Sequence, residues 1–117
     1  MNLDKFKNYN QDKEFENYLI QNSSLLIWMN NLLEQNQFTE NFLIKTRNYY
    51  DSKKCLQTQK NLSVYFCFKY LYDTPNLDSK DNWTDYNDIL IYFTNKYKKE
   101  YIENIYINYI QEKNNLI

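Results

Sequence analysis

Few residues in this chain of 117 are equipped for bond-making chemistry. Two thiols are present, Cys55 and Cys67; a nucleophilic cysteine needs a base, and a zinc thiolate site needs further ligands. No His exists to serve as either, which excludes Cys-His and Ser-His-Asp centres, a His general base and His-ligated zinc. Cys67, set among Tyr65, Phe66 and Phe68, reads as a small buried packing residue, and Cys55 is read the same way. Two cysteines are also too sparse a framework for a disulfide-stapled secreted domain. Asp85 and Asp88 stand one helical turn apart, but no ring of polar partners accompanies them and they read as capping charges. The chain has no Gly, hence no P-loop, dinucleotide fingerprint or nucleophile elbow. These exclusions predict a protein that is not an enzyme, with no catalytic residue, cofactor or metal.

Binding chemistry is better supplied. The net charge is −1 and the pI about 5.4, so the whole chain is no electrostatic nucleic-acid binder. Residues 41–70 are nevertheless basic, with Lys45, Arg47, Lys53, Lys54, Lys60 and Lys69 against Asp51 alone. Such a stretch suits an anionic lipid, RNA or an acidic protein face, or is simply a solvated helix face. Aromatics are abundant: 13 Tyr, 7 Phe and 2 Trp. They read as a core built from the residues available, as a protein–protein interface rich in Tyr and Trp, or as stacking platforms for single-stranded nucleic acid. The candidate interface residues are Trp28, Trp83, Tyr86, Tyr92, Phe93, Tyr97 and Tyr101.

The elements that must position these residues are helices. From about Asp12 to Gln21, Phe15, Tyr18 and Leu19 share a face. Asn22 to Ser24 offer a break and an N-cap. From Leu25 to Gln35, Leu25, Leu26, Trp28, Met29, Leu32 and Leu33 recur at helical spacing. Thr39 is the expected N-cap of a third helix with Phe42, Leu43, Thr46, Tyr49 and Tyr50 inward. In Leu62–Tyr72, Val64, Phe66, Phe68, Tyr70 and Tyr72 alternate as in a strand, but no partner strand exists and a lone strand leaves its backbone unpaired; the segment is expected to be helical. Asp73-Thr74-Pro75-Asn76 marks a turn. A final helix of about 25 residues, about 37 Å long, is expected to carry Tyr86, Leu90, Phe93, Tyr97, Tyr101, Ile105 and Tyr109 down one side. Its length predicts a surface packed on something else.

The prediction is one all-α domain over 1–117, small and irregular: a helical part at 1–73, a turn at 74–83 and a long C-terminal helix at 84–113. No apolar run approaches the roughly 20 residues of a membrane span, and Met1–Asn17, acidic and without Arg, resembles neither a signal nor a transit peptide. There is no Gly to end helices, so Asn36 and Asn61 are expected in that role. Nineteen Asn and no Ala make helices intrinsically costly and point to marginal stability in isolation. The near-absence of residues with GC-rich codons points to an AT-rich genome, nuclear or organellar.

The segment Lys80-Asp81-Asn82-Trp83-Thr84-Asp85-Tyr86-Asn87-Asp88-Ile89-Leu90-Ile91-Tyr92-Phe93 resembles the C-terminal part of the small matrix-side subunit of mitochondrial cytochrome bc1, the ubiquinol–cytochrome c reductase binding protein family. Trp83, Thr84, Tyr86, Asp88, Tyr92 and Phe93 fall at spacings compatible with that family. Phe66–Leu71, with Lys69, stands where the family has a basic helix, and Phe42–Asp51 where it has a Gly-Leu-Arg-Tyr-Asp-Asp-like stretch. The family's Gly, its Pro before the Trp and most of its basic residues are absent here. The resemblance implies an all-α accessory subunit of the respiratory chain. It would be peripheral to the inner membrane on the matrix side, contacting protein subunits, with no redox centre of its own. An accessory protein of the mitochondrial ribosome, or a small nucleic-acid-binding helical module, is the alternative.

Overall fold

The structure, a computed structural model, describes residues 3–72 and 84–115. The turn at Asp73–Asn76 and Trp83 lie outside the described residues. Residues 3–11 precede the first helix and lie along the connection after the second. Gln37 N–H donates to the Tyr9 carbonyl and Gln11 N–H to the Gln37 carbonyl, at 2.8 and 2.7 Å. Asn8 and Gln11, at φ 69° and 50°, take the left-handed conformation that a glycine would otherwise fill.

Helix α1 (Lys13–Gln21) is opened by Asp12, whose side chain accepts from Phe15 N–H at 3.0 Å. Its buried face is Phe15, Glu16 and Leu19. Tyr18, expected inward, is 44% exposed. At 100° per residue, burying Glu16 rotates the inner face away from Tyr18. Glu16 is inside because its carboxylate accepts from Thr39 N–H and Thr39 Oγ1, both at 2.7 Å, tying α1 to the residue just before Glu40. The expected helix at 25–35 is divided into a 3₁₀ segment, Ser23–Trp28, and α2, Met29–Gln35. It buries Leu25, Leu26, Met29, Leu32 and Leu33 as the spacing predicts, with Trp28 partly buried against them.

Thr39 does cap α3 (Glu40–Lys45), accepting from Phe42 N–H. The third helix then stops earlier than its apolar pattern suggests. A 3₁₀ turn at Arg47–Tyr49 follows, leaving Tyr49 43% exposed while Tyr50 is fully buried and donates its hydroxyl to the Leu43 carbonyl at 2.7 Å. Helix α4 (Ser52–Thr58) has no counterpart in the sequence reading: its buried residues are Ser52, Cys55 and Leu56, too polar a set to register as an apolar stripe.

Within Leu62–Tyr72 the chain is helical over 64–71, as expected, and not a strand. The helical stretch comprises α5 (Val64–Phe66), capped by Ser63, and a π-helical turn at Cys67–Leu71. Val64, Phe66, Cys67, Phe68 and Leu71 are all buried. An element enclosed on most sides needs apolar residues at every phase, which is how a helix came to carry a strand-like alternation.

The C-terminal region begins as expected near 84 but is two helices, α6 (Tyr86–Phe93) and α7 (Lys99–Asn115). A single straight helix is excluded by the core itself. Phe93 and Ile102 are both inaccessible to solvent, at 0% and 1%, yet nine residues of α-helix would set them about 180° apart. Breaking the chain over 94–98 lets both face inward. The long C-terminal helix is therefore the 17 residues of α7, packed on α5, the π turn and α6. The domain is all-α, with no ladder of strands among the described residues, only the isolated bridges Asn10–Gln37 and Tyr72–Thr84.

Two buried amides fasten the layers. Asn36 accepts from Tyr9 N–H at 3.0 Å and donates to the carbonyls of Phe6 and Leu32 at 2.7 and 2.9 Å. It ends α2 through its side chain, its backbone being extended at φ −138° rather than left-handed as expected. Gln59 accepts from Phe38 N–H at 2.9 Å and donates to the carbonyls of Leu33 and Asn36 at 3.2 and 3.0 Å.

Candidate functional site

The six candidate interface residues among the described ones, all but Trp83, do not share one surface. Phe93 is fully buried, because it and Ile89 form the inner face of α6; it is a core residue and not a contact residue. Tyr92 is partly buried, donating its hydroxyl to the Gln59 carbonyl at 2.5 Å and accepting from Leu62 N–H at 3.2 Å. It fastens α6 to the link after α4, and burial raises its pKa to about 12. Tyr86 packs between Phe68 and Tyr106, with ring centroids at 5.8 and 4.9 Å; burial raises its pKa too. Trp28 leans on the core. Tyr97 and Tyr101, 38% and 49% exposed, keep an outward surface, their rings 4.7 Å apart between the end of α6 and the start of α7.

Outside that set, Ile91 and Ile27 are the most exposed large hydrophobic residues among those described, at 73% and 72%. Ile91 presents 73% of its surface to solvent at a groove of about 360 Å³ lined also by Lys53, Leu56, Gln57, Asp88 and Tyr92. The groove runs between α4 and α6, with a cation contributed by one helix and a carboxylate by the other. Ile91 was legible in principle: two residues from buried Ile89, it must lie on the opposite side of α6. The groove is not, because one of its walls, α4, carries no apolar stripe in the sequence.

The six basic residues sit on several elements, and two of them face carboxylates. Lys54 pairs with Glu34 at 2.6 Å. Lys69 donates to Tyr65 Oη at 3.1 Å and lies 3.9 Å from Glu112. Tyr65 first, then Tyr70 and Glu112, raise its pKa. Lys53 lines the groove, Lys45 lines a shallow depression between α1 and α3 with Glu16 and Phe42, and Lys60 is exposed. Arg47 is partly buried and lies over the ring of Tyr70, 5.7 Å from its centroid.

Both cysteines are reduced and buried, and burial pushes both thiols well above their ordinary range, which makes them inert packing groups. Asp85 and Asp88 form a reciprocal capping box: Asp88 N–H donates to Asp85 at 2.8 Å and Asp85 N–H to Asp88 at 3.1 Å. Their oxygens are thus engaged in opening α6. No helix among the described residues is long and apolar enough to cross a membrane. What the arrangement offers chemically is contact: an apolar groove with one charge of each sign, a tyrosine pair and an arginine on a ring. No family model, curated protein or solved structure matches the chain.

Proposed function

We propose that this protein is a non-catalytic structural subunit that docks on protein partners within a larger assembly. The observation that carries the reading is Ile91, 73% exposed beside the α4–α6 groove. A branched aliphatic side chain at the lip of a concave surface gains by being covered, and Tyr97 and Tyr101 extend the aromatic surface beyond the end of α6. The finer reading is a mitochondrial one: an accessory subunit on the matrix side of a respiratory-chain complex. It is supported by the resemblance of Lys80–Phe93 to the ubiquinol–cytochrome c reductase binding protein family and by the AT-rich composition. Trp83 enters the proposal through that resemblance alone.

The test is capture of the tagged full-length chain from its native source, with mass spectrometry of what accompanies it, beside an Ile91→Asp variant. Co-purification with respiratory subunits, lost in the variant while its circular dichroism is unchanged, is the expected result. Recovery of ribosomal proteins or RNA transfers the chain to the mitochondrial ribosome or to nucleic acid, the latter marked by a steep salt dependence. A monomer without partners overturns the docking reading.

A further inference from the structure

We propose that Arg47 and Lys69, each 5.7 Å from the ring centroid of Tyr70, form a binding site for a single carboxylate presented by a partner protein, with Lys69 also bonded to Tyr65 Oη. The proposal rests on the docking reading above and names one of its contacts. Arg47 is the only arginine in the sequence. It is partly buried, and among the described residues its guanidinium makes no hydrogen bond or ion pair; it lies over the Tyr70 ring at 5.7 Å and acts electrostatically on the buried Tyr50 hydroxyl. Lys69 Nζ lies at the same 5.7 Å from that centroid. A guanidinium that rests near an aromatic ring without a hydrogen-bond partner keeps its planar fork of N–H donors uncommitted. That fork matches a carboxylate in bidentate geometry.

The charge around the ring selects among anions. Arg47 and Lys69 supply two positive charges, and Glu112, 3.9 Å from Lys69, removes one. The remaining single charge balances a carboxylate and disfavours a phosphate dianion, whose second charge would face Glu112. A nucleic-acid backbone needs a succession of cations, and Lys54 is already paired with Glu34. A single Asp or Glu side chain of a protein fits the site best.

Because the sequence has one arginine, its Nε–Hε group gives a single cross-peak in a ¹⁵N correlation spectrum. The full chain is titrated with an acetylated, amidated hexaglutamate peptide, with hexaglutamine as control, and separately with sodium phosphate and with phosphatidylcholine vesicles containing cardiolipin. The expected result is a saturable shift of that cross-peak with hexaglutamate only. Arg47→Lys, followed through the backbone amides of residues 47 and 70, should weaken the affinity roughly three- to tenfold, since a point charge replaces the fork. Lys69→Gln, at an exposed position, should weaken it as well without touching the arginine. No shift with hexaglutamate overturns the proposal, as does an equal shift with hexaglutamine, or a shift at lower concentration with phosphate or vesicles. These outcomes are independent of the Ile91→Asp capture experiment, so either reading fails without the other.

Discussion

Replacing Gln59 by Leu tests whether buried amides, and not only apolar contact, hold this domain together. Gln59 is 2% exposed, and Leu nearly matches its volume, so no cavity term arises. What is lost is polar. Phe38 N–H loses its acceptor at 2.9 Å, and the carbonyls of Leu33 and Asn36 lose donors at 3.2 and 3.0 Å. A buried N–H left unpaired costs about 1–3 kcal/mol and each lost carbonyl bond about 1 kcal/mol; the cheaper burial of Leu returns about 1 kcal/mol. The balance is about 3 kcal/mol of lost stability, a large part of the roughly 5–15 kcal/mol that a domain possesses. At this chain length it corresponds to a fall in Tm of about 10 °C. Urea unfolding followed by circular dichroism should show a lower midpoint with an unchanged m-value. Gln57→Leu, two residues earlier at an exposed position, is the control and should stay within about 0.5 kcal/mol of the parent. If Gln59→Leu costs under about 1 kcal/mol, or no more than Gln57→Leu, the amide network is not what couples α2, α4 and the 36–39 connection.

Two further outcomes follow from the titrating groups. The Tyr92 pKa, raised from 10.0 to about 12 when folded, makes the native state bind more protons than the unfolded one between those values. Stability is therefore full below pH 10 and falls as pH rises towards 12. Tyr92→Phe should cost about 1–2 kcal/mol at neutral pH, through the unpaired Leu62 N–H. It should also flatten the alkaline decline between pH 10 and 12, read by urea titrations from pH 9 to 11.5. Cys55 and Cys67 should resist a disulfide reagent at pH 8 in the native protein and react in guanidinium; rapid native labelling of either would contradict their burial.

Much of the fold was readable where one signal sufficed. Asp12, Thr39 and the pair Asp85 and Asp88 open helices as their residue types predict, and the apolar spacing from Leu25 to Leu33 marks a true inner face. Legibility failed where aromatic residues serve both sides of an element. Phe93, Tyr97 and Tyr101 recur at four-residue steps and read as one stripe, yet Phe93 is core while both tyrosines face outward. The burial of Ile102 turns the chain between them. Tyr is ambiguous by nature, since its ring packs and its hydroxyl is solvated, so the composition that suggested an interface also blurred its position. The groove was hidden for a different reason. One wall is α4, whose inner face contains Ser52 and Cys55 and whose sequence offers no periodic apolar signal.

The frequent helix breaks trace to how a chain without glycine ends a helix. The last carbonyls of a helix lack intrahelical donors, and the common remedy, a left-handed Gly after the last turn, is absent from this sequence. Here a side chain donates to the carbonyl four residues back: Asn22 to Tyr18 at the end of α1, Asn36 to Leu32 at α2, Thr46 to Phe42 at α3, Thr58 to Lys54 at α4 and Thr94 to Leu90 at α6. At Tyr18 and Phe42 the same carbonyl also accepts the backbone N–H of Asn22 and Thr46; in all five the side chain bonds locally to the backbone where the helix stops. All five helices end at or within one residue of that Asn or Thr, both poor helix formers. Short helices have too few turns to hide every apolar residue, because an inner face one or two turns long accommodates only two or three. The eight residues of α6 bury Ile89 and Phe93 and leave Ile91 outside. The exposed surface proposed for docking is in that sense a consequence of the composition: the residues that end the helices also limit what the core can cover.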